Sequence, residues 1–166
     1  LMRRVSALLA QPARTAPASD TEALVALAGS SYALPKLPQS HAVATDPASC
    51  HVAAGGSLYP DHVIFLGVGS VLARPGENAE QVAARETLSG NPAPVSILFP
   101  GKGVLMRRGA SAGAEAMARC IADVAARIPD DARLRYFTPQ ENGELLNWDA
   151  EKYRQQLAMQ QAAQQQ

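Results

Sequence analysis

PVSILFPGKGVLMRRGASAGAEAMARCIADVAAR, residues 94–127, is the stretch whose reading decides the fold. Val95–Phe99 is a short apolar run of the kind found in strands covered on both faces. Gly101-Lys102-Gly103 supplies a tight turn, and Val104, Leu105 and Met106 read as a second short strand. From Ser111 onward, apolar or small residues recur at Ala114, Met117, Ala118, Ile121, Val124, Ala125 and Ile128. That spacing puts them on one face of a helix with 3.6 residues per turn. Strand, turn, strand and amphipathic helix in this order predict an α/β fold, a central sheet flanked by helices.

The flanking sequence extends the same pattern. Val63, Ile64, Phe65 and Leu66 form a second continuous apolar run, read as a buried strand that Gly67 and Gly69 turn, and Ser70–Ala73 reads as a further short strand. Glu77–Leu88 is a polar, helical stretch that leads into the loop SGNPAP. Nearer the N-terminus, Met2, Val5, Leu8 and Leu9 fit a short helix with one apolar face. Ser19-Asp20-Thr21-Glu22 carries a capping-box signature, with Ser19 as the cap of a helix that stops at Gly29. Asp46-Pro47 marks another helix start, and Gly55-Gly56 its end. Thr138-Pro139-Gln140-Glu141 is a second capping box, and a last helix is expected from about Trp148 into the Gln-rich tail.

Composition sets the class. At 166 residues the chain can bury a sizeable core, with 47% apolar residues but only 5% aromatics, Ala making up much of the difference. Fifteen basic and fifteen acidic residues cancel, so no general attraction to nucleic acid or to an anionic membrane is expected. No apolar run approaches the roughly 18 residues of a membrane span. Cys50 and Cys120 form no CxxC pair, which points to a reduced, cytoplasmic setting. The basic and apolar N-terminus, LMRRVSALLAQ, is too short in its apolar part for a secretory signal. Leu1 precedes Met2, as a fragment or a processed product would have it.

Few residues offer chemistry. His41, His51 and His62 stand ten and eleven residues apart, without HxH, HExxH or paired cysteines. Pro60-Asp61-His62 lies at the mouth of the expected strand, where Asp61 either caps a backbone N–H or joins His62 in a site. A phosphate loop needs GxxxxGK[ST] running directly into a helix, whereas Gly101-Lys102-Gly103 runs into a strand and reads as a turn. Arg107 and Arg108, with Lys102 nearby, suggest a small anion-binding spot close to the N-terminus of the Ser111 helix. No GxSxG elbow occurs, and Cys50-His51, adjacent on a helix, point in different directions.

Three segments carry a family resemblance. YPDHVIFLG, Tyr59–Gly67, resembles the TPDHVI segment of class II aldolase/adducin proteins, especially long-form members. SILFPGKGVLMRRGASAGAEAMARCIAD, Ser96–Asp123, resembles their following strand, glycine turn and helix, and LLNWDAEKYRQQL, Leu145–Leu157, resembles their C-terminal region. The resemblance runs from about Ser57 to Leu157. It implies an α/β fold with a central sheet and, often, a tetramer. Catalytic members of the family hold zinc through an HxH segment, an acidic residue and a later His-Gly, and cleave sugar phosphates through a metal-stabilised enediolate. Here there is no HxH, and Lys102-Gly103 stands where the family has His-Gly. A protonated lysine repels a divalent cation, so no metal site is expected, zinc entering only if the resemblance extends to activity.

The expected organisation is a helical segment over 1–56, an aldolase/adducin-like α/β core over 57–128 and a C-terminal helical segment over 129–166. The expected function is a domain without catalysis of its own, completing a fold or a homo-oligomer with an N-terminal aldolase-like half. An adducin-like self-association module is the alternative. A diverged lyase that binds a small anionic sugar through Lys102, Arg107, Arg108, Asp61 and His62 is a further one.

Overall fold

A computed structural model describes residues 11–147. The expected helix around Met2–Leu9 and the one from Trp148 both lie outside these residues. The centre is the hairpin of β3 (Ser96–Phe99) and β4 (Gly103–Arg107), antiparallel, with Phe99 opposite Gly103 and Ser96 opposite Met106. The three-residue turn closes through Lys102 N–H donating to Phe99 O at 2.9 Å. On one side β1 (Tyr32–Ala33) pairs antiparallel with β4, and on the other β2 (Val71–Leu72) runs parallel to β3. The result is a mixed sheet of order β1-β4-β3-β2, an α/β fold as expected.

Period-two alternation divides the hairpin between two cores. Leu98, Val104 and Met106 face one side, where they pack with Val43 and Ala44 of α2 (Ala42–Thr45), Val52 and Ala53 of α3 (Pro47–Ala54), Leu66 of α4 (Pro60–Leu66) and the apolar face of α6 (Ala112–Ala125). Ile97, Phe99 and Leu105 face the other, against Leu24 and Ala28 in and after α1 (Thr21–Leu27) and Ala79 and Val82 of α5 (Ala79–Leu88). Both strands are therefore covered twice, which explains why they are short and almost wholly apolar. A 3-10 turn, Pro38–His41, leads into α2, and α7 (Pro139–Asn147) closes the described chain.

Caps set most helix starts. Asp46 Oδ2 accepts from Ser49 N at 3.0 Å with Pro47 in the first turn, and Ser111 Oγ accepts from Ala114 N at 3.1 Å. Thr138 and Glu141 form their box reciprocally, at 2.8 and 3.2 Å. One expectation is corrected here. The cap of α1 is Asp20, which accepts from Ala23 N at 3.0 Å, not Ser19, because the aspartate carboxylate stands one residue nearer the helix. The start of α5 is a full capping box between Asn78 and Gln81, both bonds 2.9 Å.

The larger correction concerns Val63–Leu66, which is helix α4 and not a strand. Tyr59 is extended, Pro60 occupies the first helical turn, and Gly67 (φ +93°) ends the helix in a conformation few other residues adopt. Only His62, Val63 and Leu66 are buried, one face of a helix rather than both faces of a strand. Asp61 and His62 accordingly sit in a helical first turn, and no strand mouth exists there.

Arginines end several elements. Arg14 donates its backbone N–H to Ala126 O, its Nη2 to Ala125 O at 2.8 Å, and its Nε to Asp46 Oδ2 at 2.9 Å. One guanidinium thus serves the carboxyl end of α6 and the cap of α3. Along β2, Ala73 N–H donates inward to Leu98 O, so the groups of Leu72 face outward, and Arg85 Nη2 takes the Leu72 carbonyl at 2.9 Å. That blunts the sheet edge against further pairing. Strand β1 has only two residues and is soon followed by Pro35, which has no N–H for a ladder.

The hairpin turn generates a contrast between two glycines. A Cβ at Gly103 (φ +139°) would lie 2.6 Å from His41 Nδ1 and 2.9 Å from Leu24 Cδ1, whereas one at Gly101 (φ +75°) meets nothing within 4 Å. Gly101→Ala is expected to cost about 1 kcal/mol from its positive φ. Gly103→Ala adds a clash with His41 and Leu24 and should cost roughly 3 kcal/mol or more. Urea midpoints of the two variants decide this; equal midpoints would refute the close approach.

Candidate functional site

In an open α/β sheet a ligand site is looked for beyond the carboxyl ends of parallel strands. Strands β2 and β3 are the parallel pair, and beyond their ends lies an open cleft of about 390 Å³. Leu72, Pro100 and Gly101 form one wall; Ala44, Pro47, Ala54, Cys50 and His51 form the other. Gly101 N–H, which could greet a ligand, instead donates to Ala44 O at 2.8 Å. Cys50 is buried and His51 exposed, so these neighbours do point apart. Burial pushes the Cys50 thiol up, and the Asp46 carboxylate pushes it further, which keeps the sulfur protonated and a poor nucleophile. The cleft is apolar with one imidazole at its rim.

The candidate ligand-binding residues do not converge. Lys102 is exposed at the hairpin tip, and its carbonyl receives Asp20 N–H at 2.9 Å. Arg107 and Arg108 stand at the opposite end of β4, about 17 Å away at 3.4 Å per residue. Arg107 Nη1 donates to Ala93 O at 3.2 Å, and Arg108 Nε to Ser30 O at 2.9 Å. Asp61 is exposed on α4. His62, next to it, is completely buried.

The geometry of His62 and His41 fixes their protons. His62 Nε2 lies 3.2 Å from Gly69 O, an acceptor, so Nε2 carries the hydrogen and Nδ1 presents a bare lone pair. That Nδ1 has no hydrogen-bond partner among the described residues. Beside it, 5.9 Å between ring centroids, stands Tyr59. Burial pushes the Tyr59 phenol well up, with the nearby Cys120 thiol adding to the shift, and its hydroxyl meets no partner of good geometry among the described residues. His41 Nδ1 accepts the Val104 N–H at 3.0 Å, so its hydrogen is on Nε2. Burial lowers both imidazoles, the Gly69 carbonyl opposing this at His62. Among the described residues no group of three or more His, Cys, Asp or Glu is placed to hold a metal ion. Nor is any helix there long and apolar enough to cross a membrane.

One polar cluster was not visible in the sequence. Glu80, in the first turn of α5, reaches the turn between α1 and β1. Its Oε1 accepts Ser30 N–H and Ser31 N–H, both at 3.0 Å, and the Ser30 hydroxyl at 3.3 Å, while Oε2 accepts the Ser31 hydroxyl at 3.2 Å. The Ser31 backbone bond, foremost, holds the Glu80 carboxyl below the usual range. Fifty residues separate the partners, so no local spacing announces the contact.

Comparison with known proteins adds little. No family model matches the chain, and no curated protein does. Among solved structures it is similar to YgbL, described as a candidate aldolase/epimerase/decarboxylase from Escherichia coli, at 20% identity and a TM-score of 0.34. The match covers 76% of this chain and 53% of that one, so the chain spans about half the length of YgbL. A superposition that distant carries no argument about activity.

Buried neutral histidines generate a pH dependence. Folding lowers both imidazoles from their ordinary value of 6.5, so below that pH the unfolded chain binds protons more readily than the folded one. Stability should be level above about pH 7 and fall as pH drops from there toward 5. Thermal unfolding between pH 7.5 and 5 measures the slope, which should be shallower in His62→Gln. A slope unchanged by that substitution would mean that His62 titrates normally.

Proposed function

We propose that this chain is a class II aldolase/adducin-like α/β module, not catalytic by itself, that completes a homo-oligomer or pairs with an N-terminal aldolase-like half. Two lines support this reading. The sequence over Tyr59–Gly67, Ser96–Asp123 and Leu145–Leu157 resembles that family, and Lys102-Gly103 stands where its catalytic members have a metal-binding His-Gly. The observation that carries it is the disposition of the cationic side chains. Lys102 is separated from Arg107 and Arg108 by the length of β4, and both guanidinia hold backbone carbonyls.

Assembly would proceed through helices. Edge strand β2 is blunted by Arg85, and β1 is two residues long. On the helices α1 and α5, which cover the same face of the sheet, Val25 and Leu88 are exposed, Leu88 to 90%. Apolar side chains so placed lower the cost of helix-to-helix association.

The test combines three measurements on the purified chain. Native mass spectrometry should find no stoichiometric zinc, and a ketose 1-phosphate should not be cleaved. Light scattering at high concentration should return a multiple of the mass of one chain. Bound zinc together with cleavage would overturn the reading, and a monomer at every concentration would overturn self-association.

A further inference from the structure

The Gly29–Ser31 turn has the makings of an anion receptor. Two successive backbone N–H groups, Ser30 and Ser31, converge on one oxygen, and two hydroxyls flank them. Converging N–H groups of this kind form a concave nest that favours negative charge. Gly29 makes the approach possible. It sits at φ +61°, and a Cβ there would lie 2.7 Å from Glu80 Cγ and 2.7 Å from Oε1. On the carbonyl side of the same turn, Arg108 holds Ser30 O through Nε and Ser31 O through its backbone N–H at 2.8 Å. Arg108 thus braces the turn from behind, on the side of the Ser30–Ser31 peptide opposite the N–H group that holds the carboxylate.

We propose that the Gly29–Ser31 turn, braced from its carbonyl side by Arg108, is a binding site for a phosphate group, and that Glu80 is its built-in, displaceable occupant. Three features make the carboxylate a competitor and not a permanent strut. Ser30 and Ser31 are both exposed, so the turn lies open to solvent. A carboxylate offers two oxygens, whereas a phosphate offers three or four and up to twice the charge to the same donors. Glu80 itself loses little on leaving, because it remains in the first turn of a ten-residue helix, where a negative charge is favoured. The turn therefore exchanges one anion for another without unmaking α5.

The test follows the Ser30 and Ser31 amide resonances while sodium phosphate replaces sodium chloride at constant ionic strength. Saturable shifts confined to this turn are expected, with affinity about tenfold tighter in Glu80→Ala, which lacks the competitor. Arg108→Ala should weaken binding several-fold in either background. Glycerol 3-phosphate run in parallel distinguishes sources: tighter binding than inorganic phosphate assigns the site to phosphate esters, equal binding to the free ion. Identical responses to phosphate and chloride would overturn the proposal, as would equal affinity with and without the Glu80 carboxylate. Should Glu80→Ala fail to fold, Glu80→Gln keeps the shape and loses the charge. Phosphate binding tighter than in the unaltered chain then supports the proposal, and none refutes it.

Discussion

Everything in this fold answers to the burial of the β3–β4 hairpin on both faces. Ile97, Leu98, Phe99, Val104, Leu105 and Met106 are each 3% exposed or less. Burying side chains of this size is worth about 1.5–3 kcal/mol each, more than short strands could gain from backbone hydrogen bonds alone. The hairpin needs two covers, and the chain supplies them from segments far apart in sequence. One is α2, α3, α4 and α6; the other is α1 and α5. Gly103 shows how closely one cover sits, because the imidazole of His41 occupies the place a Cβ would take and receives the Val104 N–H. Residues 21–56 thereby contribute a strand, a wall of the core and a buried polar anchor to the same unit as the hairpin.

That arrangement explains which parts of the fold were legible. The hairpin and α6 were, because both announce themselves locally: a glycine turn between two apolar runs, and apolar or small residues at helical spacing that include the buried Ala114, Ala118, Ile121 and Ala125. Val63–Leu66 was not. Four consecutive apolar residues fit a doubly covered strand and a short helix equally well, since periodicity is not expressed over so few positions. The deciding signal was Pro60, pre-set for a first helical turn, followed by acidic Asp61 and ended by Gly67. The same emphasis on apolar runs hid the Asn78–Gln81 box in a stretch noticed only for its polarity.

The candidate site was harder to read for a different reason. A basic residue in a sequence advertises charge but not destination. Arg14 and Arg85 direct guanidinium groups to backbone carbonyls at the ends of a helix and a strand, and Arg107 and Arg108 to carbonyls in loops. The planar fork with its several donors suits that work better than a lysine ammonium would. Such arginines look like an anion site because the residue type is the same; only their partners tell the roles apart. His62 presents the converse case. It stands in a motif suggestive of chemistry, yet it is packed away with one nitrogen committed to Gly69 and the other facing no donor.

These placements also say where recognition can occur on this chain. The cleft beyond β2 and β3 has walls but few polar groups to orient a ligand, since Gly101 N–H is committed to Ala44. The sheet edge at β2 is capped by Arg85, which removes strand addition there. Among the described residues, polar donors gather at the α1–β1 turn, where backbone N–H groups hold the Glu80 carboxylate, and Val25 and Leu88 are exposed on the two helices that this turn and Glu80 tie together. Glu80 belongs to α5 and grips the turn that leaves α1, so its carboxylate bears on how those helices are held.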